Sequence, residues 1–174
     1  IGIDLFGDEE AYPPELFRTA FEVAEENNLN ITVHAGEGGG ETNIRVAIET
    51  LGAQRIGHGI KIINDPDLMD WVREKRIPLE ICLTSNVQTQ TVPSLAEHPV
   101  RKLYDYGIRI SLSTDDPAIC DTTLSDELLL AMEYFDFTLD EIKSLMIDSY
   151  DQSFLEDYRK EAILPAFRAE MDAV

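Results

Sequence analysis

A chain of 174 residues with 14 Lys and Arg against 34 Asp and Glu carries a formal net charge of −20. Such a surface repels phosphate backbones and anionic lipid, so nucleic-acid binding and membrane-surface attachment are not expected. With 44% hydrophobic and 28% charged residues, the composition is that of a globular domain and excludes disorder.

Cys82 and Cys120 lie far apart with no CxxC or zinc-knuckle spacing, which argues against a disulfide scaffold and for a reducing cytoplasm. No apolar run approaches the roughly 20 residues that span a bilayer. The chain opens on Ile1-Gly2-Ile3-Asp4-Leu5 with no start methionine, basic leader or signal peptide, and this opening reads as strand interior.

Apolar runs over Ile1 to Phe6, Ile31 to Val33, Arg55 to Ile60, Pro78 to Leu83 and Arg109 to Leu112 predict five strands. Between them, three- and four-residue apolar spacing predicts helices over Pro14 to Asn28, Glu41 to Leu51, Asp65 to Lys75 and Ser94 to Tyr106. In the first helix Leu16, Phe17, Ala20, Val23 and Ala24 form the expected buried stripe, with Glu15, Glu22, Glu25 and Glu26 facing water. Asp65-Pro66 is a cap followed by an N1 proline. After the fifth strand three helices are predicted, over Leu124 to Phe135, Leu139 to Ser149 and Leu155 to Glu170, with Thr138 and Glu141 spaced as a capping box. Repeated strand–helix units imply an α/β fold with a parallel sheet, and without linker or repeat, residues 1–174 read as one domain.

In parallel α/β sheets ligands bind at the carboxyl ends of the strands, and every predicted strand here ends in polar residues. These are Asp4 to Glu9, His34-Ala35-Gly36-Glu37, Gly57-His58-Gly59, Cys82 to Asn86 and Ser113 to Pro117. His34 and Asp115 suit a divalent zinc ion. Glu37 can move a proton beside it, and His58, between glycines, can orient a metal-bound water and take its proton. Each has a structural alternative. A lone strand histidine is commonly a core residue, and Asp115-Asp116-Pro117 is also a turn with a helix cap. Gly38-Gly39-Gly40 lacks the GxGxxG frame and reads as a flexible loop. Asp8, Glu9 and Glu10 read as solvated charge, His98 as structural and Cys82 as buried filler. The coincidence at five successive strand ends favours a site.

The segments Gly2-Ile3-Asp4-Leu5-Phe6-Gly7-Asp8-Glu9, Thr32-Val33-His34-Ala35-Gly36-Glu37, Arg55-Ile56-Gly57-His58-Gly59, Cys82-Leu83-Thr84-Ser85-Asn86 and Ser113-Thr114-Asp115-Asp116-Pro117, in that order, resemble the metal-dependent adenosine/AMP deaminase family. The separations also fit, 24 residues from His34 to His58 and 81 from His34 to Asp115. The resemblance implies zinc-dependent hydrolysis of adenosine and deoxyadenosine to inosine and ammonia in purine salvage. It implies that His34 and Asp115 bind zinc, Glu37 protonates purine N1, His58 orients the water, and Asp115 also contacts that water as a catalytic residue. Gly7 would offer its backbone N–H to N3 and Asp116 would bond N7. Members resembling adenine deaminases tend to carry Asp where this chain has Gly57, and His-Ala-Gly-Glu points away from the methylated-nucleotide branch. The HxE and PCxxC pattern of polynucleotide deaminases is absent.

The family's barrel has eight strands and a His-x-His pair on its first strand that this chain lacks. The five predicted strands correspond to the fourth through eighth, followed by terminal helices. The expected partners are therefore a purine nucleoside and an amino-terminal barrel half as a separate chain, or a second copy through self-association. With only His34 and Asp115, zinc affinity is expected to be weak. The alternatives are an inactive barrel fragment, another purine aminohydrolase such as an adenine deaminase, or another hydrolase of the same barrel type.

Overall fold

The computed structural model describes residues 2–173; the predicted strand position at Ile1 lies outside them. Five strands, β1 (Gly2–Leu5), β2 (Asn30–Ala35), β3 (Arg55–His58), β4 (Leu79–Ile81) and β5 (Ile110–Leu112), form one sheet in sequence order. Every neighbouring pair is parallel. The register sets His34 opposite Gly57 and Ala35 opposite His58. β1 and β5 are the two edges of the sheet.

The connections carry α1 (Arg18–Glu26), α2 (Glu41–Leu51), α3 (Pro66–Lys75), α4 (Leu83–Gln88) and α5 (Val100–Tyr106). After β5 come α6 (Pro117–Cys120), α7 (Leu124–Phe135), α8 (Leu139–Gln152) and α9 (Asp157–Asp172). The local signals act as their chemistry requires. The Asp65 side chain accepts from the Leu68 N–H at 2.9 Å with Pro66 at the first helical position. Thr138 and Glu141 form the capping box of α8, and Thr123 with Asp126 forms a second one on α7. Arg101 holds the Glu141 carboxyl well below its ordinary range, down to about 2.

Alternation along the strands separates two environments. Ile31, Val33, Ala35, Ile56, Leu79, Ile81, Ile110 and Leu112 join a core with Ile44, Ala47, Leu51, Leu68, Val72 and Leu103 of the helices. Each fully buried Val, Leu or Ile side chain among them contributes about 1.5–3 kcal/mol. The alternate positions are polar. Arg55 lies 3.2 Å from Thr32 Oγ1 and stacks 3.8 Å over the Phe154 ring. Its Nε is 3.0 Å from Glu80 Oε1, an ion pair by distance whose N–H is not aligned for a hydrogen bond. Burial raises the Glu80 carboxyl above its ordinary value, although Arg55 opposes it.

Several predicted boundaries move. The first strand ends at Leu5 and the third at His58, where Gly59 adopts φ 68° and a 3-10 turn over Ile60–Asn64 follows. The helix predicted over Ser94 to Tyr106 is two pieces, Leu95–Glu97 and α5, because Pro99 can donate no N–H into a continuous helix. The fourth strand stops at Ile81, and Leu83 to Gln88 is helical. Along the 3-10 turn Pro14–Phe17 and α1 the expected stripe is turned. Phe21 and Ala24 are buried and Phe17 half-buried, while Leu16, Ala20 and Val23 are exposed.

His98 lies in the core, as expected. It is buried, and burial depresses its imidazole from 6.5 to about 4. Above pH 6.5 folded and unfolded chains are both neutral at this residue. Below that, only the unfolded chain takes the proton, so stability falls with pH until about 4. The wild-type protein is expected to lose up to about 1.4 kcal/mol per pH unit more than His98→Gln across this window. Urea midpoints measured at intervals from pH 7 to pH 4 check this; a constant difference between the two proteins would refute it.

Candidate active site

The carboxyl ends of β2 and β3 bring the two predicted histidines together. The His34 and His58 rings lie 5.1 Å apart. This approach depends on Gly57, since a Cβ there would come within 2.8 Å of His34 Cγ. Strand alternation alone would point His58 toward the helices with Ile56. Its φ of 59° turns it out of the extended path, and Asp115 has a similar φ of 58°. Left-handed backbone at two non-glycine residues costs of order 1–3 kcal/mol each and marks positions that the surrounding structure over-determines.

His34, His58 and Asp115 each offer a ligand atom, all within 4.8 Å of one another, a group able to hold a metal ion. His34 Nδ1 lies 3.2 Å from Asp4 Oδ1, an arrangement that fixes the ring and leaves Nε2 for a ligand. Metal-binding histidines are commonly held in this way by a carboxylate. Imidazole and carboxylate donors suit zinc. Burial disfavours protonated His34, but Asp4, with Asp115 and Glu80 behind it, outweighs burial and raises the imidazole above its ordinary value. At His58 burial prevails over the attraction of Glu37 and lowers the imidazole.

Glu37 Oε2 sits 3.3 Å from His58 Nε2, and its Oε1 accepts from Thr89 Oγ1 at 3.0 Å. Asp115 Oδ2 is 3.9 Å from His58 Nε2 and accepts from Ser85 Oγ at 2.6 Å. Gly7, with φ 136°, lines a cleft with Phe6, Tyr12, Phe17 and His34. Asp116 is exposed beside Asp115, and its side chain caps no N–H of α6. Burial pushes the Cys82 thiol well up, so it stays protonated. His34, Glu37, His58 and Asp115 are thus clustered, whereas Gly7 and Asp116 stand on the adjoining loops.

Glu9 is not solvated charge. It is 8% exposed and accepts from the Gly36 N–H at 2.9 Å, the Glu37 N–H at 2.7 Å and Asn43 Nδ2 at 3.1 Å. On the other side of the same loop, Lys61 Nζ donates to the Gly38 carbonyl at 2.7 Å. Glycine is needed within it: a Cβ at Gly39 would meet the Asn43 and Glu9 side chains. The segment Gly36–Gly40 is therefore clamped rather than free. Nothing local in Asp8-Glu9-Glu10 distinguishes the middle carboxylate, because its partners lie 27 or more residues away.

The family profile described as adenosine deaminase matches residues 1–169. The chain belongs to the adenosine deaminase family. It is 42% identical over 163 residues to an adenosine deaminase of Aliivibrio fischeri, covering 94% of this chain and 49% of that protein. To an adenosine deaminase of Klebsiella pneumoniae it is 44% identical over 162 residues, covering 93% and 49%. The chain thus spans about half the length of these curated family relatives. Among solved structures, adenine deaminase from Arthrobacter aurescens superposes with a TM-score of 0.93 at 30% identity, over 98% of this chain and 52% of that one. An amidohydrolase from B. ambifaria, solved with bound Zn, gives 0.91 at 31% identity, over 99% and 48%. Deaminase-family structure accordingly covers the sheet and its helices nearly end to end.

The clamp on Glu37 carries a direct expectation. Glu9→Ala leaves the buried Gly36 N–H and the half-buried Glu37 N–H unpaired and is expected to cost about 3 kcal/mol, with faster amide exchange across Gly36–Gly40. Urea denaturation and hydrogen-exchange mass spectrometry measure both. Unchanged exchange in that segment would show that Glu9 does not hold it.

Proposed function

We propose that this chain forms the catalytic face of a zinc-dependent adenosine deaminase, converting adenosine and deoxyadenosine to inosine and ammonia in purine salvage. The observation that carries the reading is the meeting of His34, His58 and Asp115 within 4.8 Å, with Glu37 against His58. In this reading His34 and Asp115 hold the zinc, and the remaining ligands come from an amino-terminal barrel half. When bound, zinc lowers the pKa of water toward neutrality and so provides a nucleophile. His58 orients the attacking water. Glu37 places a proton on purine N1 as water adds at C6, so that charge does not build on the ring; one proton of the water returns to Glu37 and the other leaves with the C6 amine as ammonia. The Gly7 N–H meets N3 and Asp116 meets N7. Buried, unpaired Cys82 and Cys120 fit a cytoplasmic setting. Among the described residues no helix is long and apolar enough to cross a membrane.

A second reading, deamination of free adenine or of an N6-methylated nucleotide, is favoured by structural neighbours. These include the adenine deaminase above and an N6-methyl-AMP deaminase from Arabidopsis thaliana, with a TM-score of 0.85 and 31% identity over 100% of this chain and 50% of that one. Against the adenine reading, members resembling adenine deaminases tend to carry Asp where this chain has Gly57. The nucleoside reading is also supported by the higher identity to adenosine deaminases.

The test is turnover by the full-length, zinc-loaded protein, followed as loss of adenosine absorbance and release of ammonia. Glu37→Gln is expected to lower kcat by roughly 10²–10⁴-fold. Turnover of adenine or N6-methyl-AMP without adenosine would select the second reading, and no turnover of any of them would overturn both.

The amino-terminal half would meet two sides of this chain. Phe6, Tyr12, Leu16 and Val23 are exposed on the connection from β1 to β2, and Ile119, Leu124, Leu129 and Tyr134 are exposed on the helices after β5. Without that half, the unpaired edges and these apolar side chains should drive self-association. Light scattering on residues 1–174 alone is expected to show oligomers that dissociate when the complementary half is added; a stable monomer would count against this partner.

A further inference from the structure

Behind His58 a chain of polar side chains runs into the core, and its direction is fixed from its far end. The Val100 N–H donates to His98 Nδ1 at 3.1 Å. A backbone N–H can only donate, so His98 Nδ1 must be a bare acceptor and the ring proton sits on Nε2. His98 Nε2 lies 3.2 Å from Asn86 Oδ1, which accepts it. The Asn86 amide is then committed, and its Nδ2 donates to His58 Nδ1 at 3.1 Å. Rotating the amide would set Nδ2 against the His98 Nε2–H, donor against donor, and leave Oδ1 facing His58. All three side chains are buried, with Asn86 at 0% exposure and His58 at 1%, so no water competes for these positions.

We propose that Asn86 and His98 are positioning residues that fix neutral His58 with Nδ1 as acceptor and its proton on Nε2. That proton points at Glu37 Oε2, 3.3 Å away, with Asp115 Oδ2 at 3.9 Å. His58 therefore enters the site as a hydrogen-bond donor, and of the three clustered side chains only His34 and Asp115 are left as metal ligands. The deep placement of His98, which keeps its imidazole neutral down to about pH 4, preserves the direction of the relay across the physiological range. A protonated His98 would carry a hydrogen on Nδ1 facing the Val100 N–H. The catalytic consequence rests on the deaminase reading, since a His58 that donates can orient water without removing its proton. The tautomer itself rests on the hydrogen bonds alone.

Two-bond ¹H–¹⁵N spectra of the histidine rings in full-length protein, zinc-free and zinc-loaded, test the assignment without any variant. The expected result in both forms is a bare Nδ1 and a protonated Nε2 at His58. A proton on Nδ1, or loss of the Nε2 proton when zinc binds, would overturn it. In Asn86→Asp the carboxylate can only accept, so the His58 proton is expected to move to Nδ1. With the wrong tautomer kcat should fall on the order of a hundredfold or more, while KM stays within about threefold. An unchanged ring spectrum in this variant, or a changed spectrum with unchanged kcat, would overturn the positioning role. If the wild-type protein shows the expected tautomer but does not deaminate adenosine, the functional reading fails and the relay stands.

Discussion

The close passage of the His34 ring over Gly57 is the contact on which the site depends. Parallel register places these residues opposite each other on β2 and β3, and the missing Cβ lets the imidazole lie directly over the neighbouring strand. A methyl group there would occupy the space of the ring. From that approach follows the 5.1 Å separation of the two histidines. Left-handed backbone at His58 and Asp115 then turns both side chains toward the same volume. The two faces of the sheet divide the labour. Aliphatic side chains anchor one face to the helices, and the other is left polar.

The electrostatics of that polar face explain its chemistry. Asp4, Glu37, Glu80 and Asp115 all act on His34 or His58, yet the two imidazoles respond in opposite directions. His34 gains a direct carboxylate partner, and attraction outweighs burial. His58 is more deeply enclosed and meets Asn86 through Nδ1, so desolvation prevails. Two histidines of the same chain thus acquire different characters, one raised and held by a carboxylate, the other neutral and directional. In the deaminase reading these are the requirements of a ligand and of a water-orienting group. In the same reading a bound divalent cation would relieve the mutual repulsion of these carboxylates.

Much of the scaffold was legible because its signals are local. The cap at Asp65-Pro66, the box at Thr138 and Glu141, and the apolar run over Ile31 to Val33 are each complete within a few residues. Helix α4 was not legible, since Thr84-Ser85-Asn86 carries no apolar period and is held helical by what it packs against. The buried side of the first helix is not legible for a similar reason. Periodicity shows that a helix has an apolar side, but when Leu16, Val23, Phe21 and Ala24 are all apolar it does not say which ones meet the core.

What the sequence determined by itself was the order of strand and helix and the polar residues at the strand ends. Through its resemblance to the adenosine deaminases it also indicated the family. These follow from short-range patterning and from motifs that survive being read one at a time. Only the tertiary structure decided that Glu9 is a buried clamp for the Glu37 loop, that Gly57 makes room for His34, and that His98 speaks to His58 through Asn86. Each of these depends on a hydrogen bond or a steric contact between residues far apart in the chain. The direction of a hydrogen bond, like the room left by an absent Cβ, exists only once both partners are in place.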